Sequence, residues 1–182
     1  MKSIIEMNRP YFFCSGMGSM DRQRGVTLIE MVVVLAIMGI VLAFSWPALQ
    51  EFLGSNRRAA VMNEFTAAFH HAKSEAIKRS ANVTICSSGS GVACGGPWEG
   101  GWIVFLDVNA NGAVDGGAGD VVIERRGALD AGLTLSGNAF VATHITINSR
   151  GHALGHAGTL TLTDSKGKTS ARVISSSGRI RR

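Results

Sequence analysis

The seven residues RGVTLIE, Arg24 to Glu30, lead directly into an apolar run that continues to Trp46. The 24 residues of 26–49 would form a helix roughly 36 Å long, which is enough to cross a bilayer core of about 30 Å. We therefore predict one membrane-spanning helix over 26–49. Glu30 lies at the start of this apolar segment. A charge costs about 2.5 to 3.5 kcal/mol at the centre of a membrane helix, so we expect Glu30 to have a positively charged partner.

Four basic residues precede the apolar run and predict its orientation: Lys2, Arg9, Arg22 and Arg24. Positive charges favour the cytoplasmic side, which would place the remainder of the chain in the periplasm. A conventional secretory signal is cut after its apolar region, whereas the best cleavage site here, Gly25, lies before it. The apolar helix should then be retained. The alternative is an ordinary signal anchor that is never processed.

The residues from Gly25 to Glu30 resemble the class III signal of type IV prepilins and of type II secretion pseudopilins. The resemblance implies that a prepilin peptidase removes the leader 1–25 and that the amine of Val26 is then methylated. Val26 stands where that family usually has phenylalanine. The resemblance also implies that Glu30 meets the N-terminal amine of a neighbouring subunit during assembly. The expected location is the bacterial inner membrane, in a single pass, and afterwards a pilus or pseudopilus. The expected partners are other major or minor pilins or pseudopilins.

Beyond Pro47 the helical pattern continues, with apolar side chains at spacings of three and four and basic residues between them. The apolar positions are Phe52, Val61, Phe65, Ala68, Phe69, Ala72 and Ala76. We predict a helix over 26–80 whose second half packs on a globular head, with a kink at Pro47.

The head domain, 81–182, changes to short β-like runs separated by Gly, Asn, Asp and Ser. One long helix followed by seven or eight strands predicts an α+β protein with a β-sandwich-like head. Asp164 to Gly167 is predicted to be a hairpin turn between the last two runs. The predicted strands are 83–86, 101–106, 120–124, 133–135, 145–147, 159–163 and 171–175.

Within the pilins, Gly101-Trp102-Ile103-Val104-Phe105, followed by the loop from Asp107 to Gly112, resembles the GspH/FimT family of minor pilins and pseudopilins. This resemblance implies the pilin fold over nearly the whole processed chain. FimT-like members belong to type IV pili and GspH-like members to the type II secretion pseudopilus. Both possibilities are open at this point.

The loop from Asp107 to Gly112, with Asp115 beyond it, has oxygen-donor side chains at the spacing found in the first part of a calcium-binding EF-hand loop. Ala118 occupies the position where that loop needs a bidentate glutamate. We therefore predict a plain turn, and a calcium site is the weaker alternative. His152 and His156 are four residues apart, but neighbouring glycines argue against the helix that would align them as metal ligands.

We predict no cofactor, and no enzymatic activity, because no nucleophile elbow, Walker loop, zinc-protease helix or Rossmann fingerprint is present.

Two cysteines, Cys86 and Cys94, belong to the predicted head, while Cys14 belongs to the leader. On the oxidising side of the membrane we expect this pair to form a disulfide. Closing so short a loop is worth about 2.5 kcal/mol on the chain-entropy model. A metal site at this pair is the weaker alternative, because no histidine is close in sequence.

The C-terminal tail Ser177-Gly178-Arg179-Ile180-Arg181-Arg182 predicts a polyanion-binding site. In an extended tail Arg179 and Arg181 share one face, and Gly178 would let a polyanion approach the backbone. The tail also resembles the Gly-Arg-x-Arg ending of FimT-like pilins associated with DNA capture. We therefore predict DNA binding without sequence specificity, through Gly178, Arg179, Arg181 and Arg182, extended by Lys166, Lys168 and Arg172. The alternatives are protection of a sheet edge and contact with acidic neighbours in the pilus.

Overall fold

The computed structural model describes residues 25–138, 140–155 and 157–182. The predicted leader therefore lies outside the described residues except for Gly25, and so does His156. The chain divides into two compact units, one ending at Phe44 and the other spanning Ser45–Arg182.

In the described residues a long α-helix, α1, spans Leu28–Arg79, where the sequence predicted a helix over 26–80. Thr27 caps its start, because its hydroxyl accepts a hydrogen bond from the backbone N–H of Glu30 at 3.3 Å. The helix ends in a Schellman motif: Ser80 has a φ of +50°, and the N–H of Ala81 donates to the carbonyl of Ala76 at 3.2 Å. Pro47 lies inside the helix.

The first part of α1 is apolar and exposed. Among the described residues, α1 is the one helix long and apolar enough to cross a membrane, with a mean hydropathy of 2.6 over its best 18 residues. None of that stretch is buried. Side chains such as Leu35, Ile40 and Phe44 are more than half exposed, as expected for a segment that lipid or other subunits would cover.

The described part of the head contains eight strands, each neighbouring pair antiparallel, arranged in two four-stranded sheets. The first sheet has the order β3-β2-β1-β5 and the second β4-β6-β7-β8. The α+β fold predicted from the sequence is confirmed, and the eighth strand is the C-terminal tail itself. The strands are β1 Val83–Ser87, β2 Trp102–Leu106, β3 Val121–Arg126, β4 Leu133–Gly137, β5 His144–Ile147, β6 Gly158–Asp164, β7 Thr169–Ile174 and β8 Ile180–Arg181.

One hydrophobic core joins the second half of α1 to both sheets. Met62, Phe65 and Phe69 on α1 are fully buried. Phe65 makes edge-to-face contacts with Trp98, at 5.8 Å between ring centroids, and with Trp102, at 5.5 Å. From Val61 to Ala76 the apolar spacing read from the sequence therefore marks the helix face that carries the core, whereas Phe52 is 61% exposed and lies outside it.

A second, smaller cluster contains Cys86, Ile103 and Phe105, with Cys94 packed against it. Cys86 and Cys94 are joined by a disulfide, with their Cα atoms 5.6 Å apart. The predicted disulfide is thus confirmed, and it fastens the loop after β1 to the buried end of that strand.

Candidate nucleic-acid interface

The predicted DNA-binding tail forms the last hairpin of the second sheet. Strand β8 pairs with β7, placing Ile180 opposite Ile174 and Arg181 opposite Val173. Ile180 is half-buried and packs against the core, whereas Arg179 and Arg181 are exposed. The tail therefore sends an apolar side chain inward and two guanidinium groups outward.

Gly178 closes the turn of this hairpin and is buried. Its φ is +68°, and a Cβ built there would lie 1.8 Å from the carbonyl oxygen of Gly151. The Nζ of Lys73 donates to the Gly178 carbonyl oxygen at 2.8 Å. Since the chain itself fills the space beside this glycine, its structural role is to permit the turn. The open approach for a polyanion expected at Gly178 is not present.

Lys166 and Lys168 lie in the turn between β6 and β7, away from the tail arginines along the hairpin. Asp164 organises this turn, accepting backbone hydrogen bonds from both lysines at 2.9 and 2.8 Å, and it also pairs with Arg58 of α1. Burial raises the pKa of Asp164, but the two backbone hydrogen bonds and the Arg58 guanidinium outweigh it, so the pKa lies below its usual value. The Nζ of Lys168 is 3.6 Å from Glu51.

The sequence did not single out Arg58 and Asp164 as an ion pair. Both are nearly buried, with side chains 9% and 10% exposed. The one available signal was the Asp-Ser-Lys-Gly turn, since aspartate commonly accepts backbone hydrogen bonds at such positions.

Arg172 points into the molecule and is only 8% exposed. Its guanidinium donates to the Thr66 hydroxyl and to the Asn63 side chain, each at 3.3 Å, on α1. The predicted basic set thus separates into three groups: the outward Arg179 and Arg181, the turn lysines, and the inward Arg172, which lines one cleft together with Arg182.

The loop between β2 and β3, residues 107–120, is longer than a tight Asn-Gly turn. Asp107 is fully buried and accepts hydrogen bonds from the Thr84 hydroxyl at 2.7 Å and from the amides of Asn111 and Gly112 at 3.1 and 3.0 Å. Asp120 holds the other end by accepting from the amide of Val108 at 2.9 Å. Within 25–138, 140–155 and 157–182, no group of three or more His, Cys, Asp or Glu is placed to hold a metal.

Replacing Asp107 with alanine should destabilise the head by about 2 to 4 kcal/mol, because the buried amide of Gly112 loses its acceptor. The amide of Asn111 keeps its hydrogen bond to Asn109, and the Thr84 hydroxyl keeps its hydrogen bond to Thr146. The measurement is thermal unfolding followed by circular dichroism. Asp130→Asn, at an exposed position, is the control and should leave the midpoint unchanged. An unchanged unfolding midpoint for Asp107→Ala would contradict a structural role for this carboxylate. If a chelator lowered the unfolding midpoint of the wild-type protein, the loop would instead hold a metal ion.

The N-terminal candidates lie in the exposed apolar unit. Gly25, Val26 and Glu30 are all exposed, and a Cβ built on Gly25 would meet no described atom within 4 Å apart from its chain neighbours. Within the described residues, Glu30 has no ion pair.

A long helix, apolar at its start and packed at its end on a disulfide-closed head of two antiparallel sheets, defines a pilin-like filament subunit. Residues 20–46 match the prokaryotic N-terminal methylation motif, and residues 61–178 match the model described as type II transport protein GspH. The chain belongs to the GspH family, and it is a minor pilin or pseudopilin of the GspH/FimT type. Members of such a family assemble with other pilins, as structural subunits.

The similar proteins are pilins as well. Fimbrial protein Q of Moraxella bovis is 40% identical over 48 residues, which is 26% of this chain and 31% of that protein. A fimbrial protein of Moraxella nonliquefaciens is 45% identical over 49 residues, 27% of this chain and 30% of that protein. The match therefore spans about a third of the length of these relatives.

The type IV minor pilin FimU of Pseudomonas aeruginosa shares the fold, with a TM-score of 0.56 at 20% identity over 71% of this chain and 90% of that one. A second crystal form of FimU gives a TM-score of 0.52.

Proposed function

We propose that this chain is a minor type IV pilin whose C-terminal arginines bind DNA during uptake in natural transformation. The prepilin peptidase removes the leader after Gly25, and Val26 becomes the methylated N-terminus. The apolar helix anchors the subunit in the inner membrane with its head in the periplasm, until the subunit joins the pilus. The methylation motif over residues 20–46 and the exposed apolar helix support this sequence of cleavage, methylation and membrane anchoring.

The observation that carries DNA binding is the outward pair Arg179 and Arg181 on the edge strand β8. Both are exposed, and in the described part of the chain neither has an ion pair with an acidic side chain. Ile180 between them packs against the core, so the strand is held while its charges stay available. A guanidinium can donate two hydrogen bonds to one phosphate, which suits it to a nucleic-acid backbone. Backbone contacts do not read bases, so binding is independent of sequence.

Replacing both Arg179 and Arg181 with alanine should weaken DNA binding by about ten- to a hundredfold, because two charged hydrogen-bonding contacts are lost. The measurement is a gel shift with the full-length protein in a neutral detergent and a short duplex. The slope of log affinity against log salt should fall by about 1.8, which corresponds to two phosphate contacts.

The matched control replaces Arg125 and Arg150 with alanine. Both are exposed and both lie outside the tail, so the double variant removes the same charge. If DNA were retarded equally by the wild type and by the Arg179/Arg181 variant, the tail arginines would not bind DNA. If both double variants weakened DNA binding equally, net charge alone would explain the loss.

The second candidate is a pseudopilin of a type II secretion system, and the match to the GspH model over residues 61–178 favours it. In that case the head contacts other tip subunits or exported proteins. Neighbouring genes separate the two: minor pilin genes support the pilus, and a secretion operon supports the pseudopilus. Deletion gives a second test, since loss of transformation with intact protein secretion fits only the pilus.

A further inference from the structure

A cleft of about 360 Å³ lies between α1 and the β7–β8 hairpin, on the face of β7 opposite to the outward tail arginines. Three arginines and two serines contribute to its wall. The arginines are Arg58, Arg172 and Arg182, and the serines are Ser55 and Ser170.

Arg172 is the buried charge of this cleft. Its described hydrogen bonds go to neutral acceptors: the Thr66 hydroxyl, the Asn63 side chain and the carbonyl of Ala171. A guanidinium has five N–H donors, so these three bonds leave donor capacity unused. No carboxylate among the described residues forms an ion pair with Arg172. Buried charges in proteins are ordinarily paired, because removing one from water is costly.

Arg182 adds a second positive charge at the same place. The β7–β8 register pairs Arg181 with Val173, and continuing it by one residue places Arg182 opposite Arg172, on the inward face. Burial first, and then the charge of Arg182, lower the pKa of Arg172. Arg58 is already neutralised by Asp164 and by Glu51. The cleft thus holds two positive charges that the described residues leave uncompensated.

We propose that this cleft is a binding site for one phosphate group, held by Arg172 and Arg182. The identification of that phosphate as a DNA phosphodiester rests on the proposed function, whereas the phosphate site itself does not. A phosphate would supply the anionic acceptor that Arg172 lacks and would relieve the repulsion between the two guanidinium groups. Arg181, the last residue of β8, precedes Arg182 and faces outward. One DNA strand could therefore contact the tail and place a phosphate in the cleft.

Thermal unfolding with and without inorganic phosphate tests the site independently of DNA. Full-length wild-type protein in a neutral detergent is compared in phosphate and in chloride at equal ionic strength. We expect phosphate to raise the wild-type midpoint by about 2 to 4 °C. Arg172→Gln should abolish this increase and, in chloride, should unfold no earlier than the wild type, because an unpaired buried charge is gone. Arg182→Gln, at an exposed position, should also lose the increase and carries little risk of misfolding.

The same proteins are then titrated with a fluorescent duplex. We expect Arg172→Gln and Arg182→Gln each to weaken DNA binding by about tenfold, while Arg125→Gln leaves it unchanged. Absence of a phosphate effect in the wild type would overturn the site whatever the DNA result. A phosphate effect that Arg182→Gln fails to reduce would overturn the assigned residues. A phosphate effect lost in both variants, with unchanged DNA affinity, would overturn DNA as the ligand.

Discussion

Replacing Phe65 with alanine is expected to destabilise the head by about 3 to 5 kcal/mol, the range for removing a buried aromatic side chain. Phe65 is 0% exposed and contacts the rings of both Trp98 and Trp102 edge-to-face. Each aromatic contact adds about 0.5 to 1.5 kcal/mol to the burial of apolar area. The alanine variant also leaves a cavity where α1 meets the core, so the loss falls at the upper end of the range.

The measurement is thermal unfolding of full-length protein in a neutral detergent, followed by far-ultraviolet circular dichroism. For a head of this size, the expected loss lowers the midpoint by roughly 10 to 20 °C. Phe52→Ala is the matched control: it lies on the same helix but is 61% exposed, and it should change the midpoint by at most 1 or 2 °C. Similar shifts for both variants would contradict the assignment of Phe65 to the core.

Most of the helix could be predicted because its apolar residues repeat at a helical period. The same pattern that marked Phe65, Phe69 and Ala72 marks the buried face of α1 in the structure. The strands followed from alternation and turn residues, and the observed bounds differ from those predicted by one to two residues at most ends. The end of the helix at Arg79 follows from a backbone-only motif at Ser80, so its exact position had no compositional signal.

Long-range placement could not be predicted from local pattern. Nothing near Arg172 in sequence shows that it faces Asn63 and Thr66, more than a hundred residues earlier. Sequence proximity grouped Arg172 with Lys166 and Lys168, whereas the strand register groups it with Arg182. Gly178 illustrates the same limit: its positive φ could be expected at a turn, but the carbonyl of Gly151 beside it depends on a different hairpin.

The order of the sheets is likewise a tertiary property. Strand β5 lies beside β1 in the first sheet, while β4, which precedes it in sequence, belongs to the second. Alternation within a strand shows which side chains face inward but carries no information about which strand lies alongside.

Glu30→Gln is expected to reduce incorporation into the filament by tenfold or more while leaving processing and membrane insertion intact. The Glu30 side chain is exposed at the start of the apolar helix, and the backbone N–H of Glu30 donates to the Thr27 hydroxyl of its own chain. When subunits pack and exclude water, an unpaired charge there costs about 2.5 to 3.5 kcal/mol. In the proposed assembly, pairing with the amine of Val26 on a neighbouring subunit would remove that cost, and the attraction between the two charges would be strong because the surroundings are apolar. Glutamine keeps the shape and loses the charge, so it tests the ion pair alone.

The readout is the fraction of subunit in sheared filaments relative to membranes, measured by immunoblot, with mass spectrometry to show that residues 1–25 are removed. Asp130→Asn, which removes one negative charge from an exposed position in the head, should assemble as the wild type does. Normal incorporation of processed Glu30→Gln would show that assembly does not need this charge. Retention of the leader on wild-type protein, in cells with an active prepilin peptidase, would remove the free amine that the ion pair requires. The apolar segment would then be an anchor, and the exposed face of α1 would need another explanation.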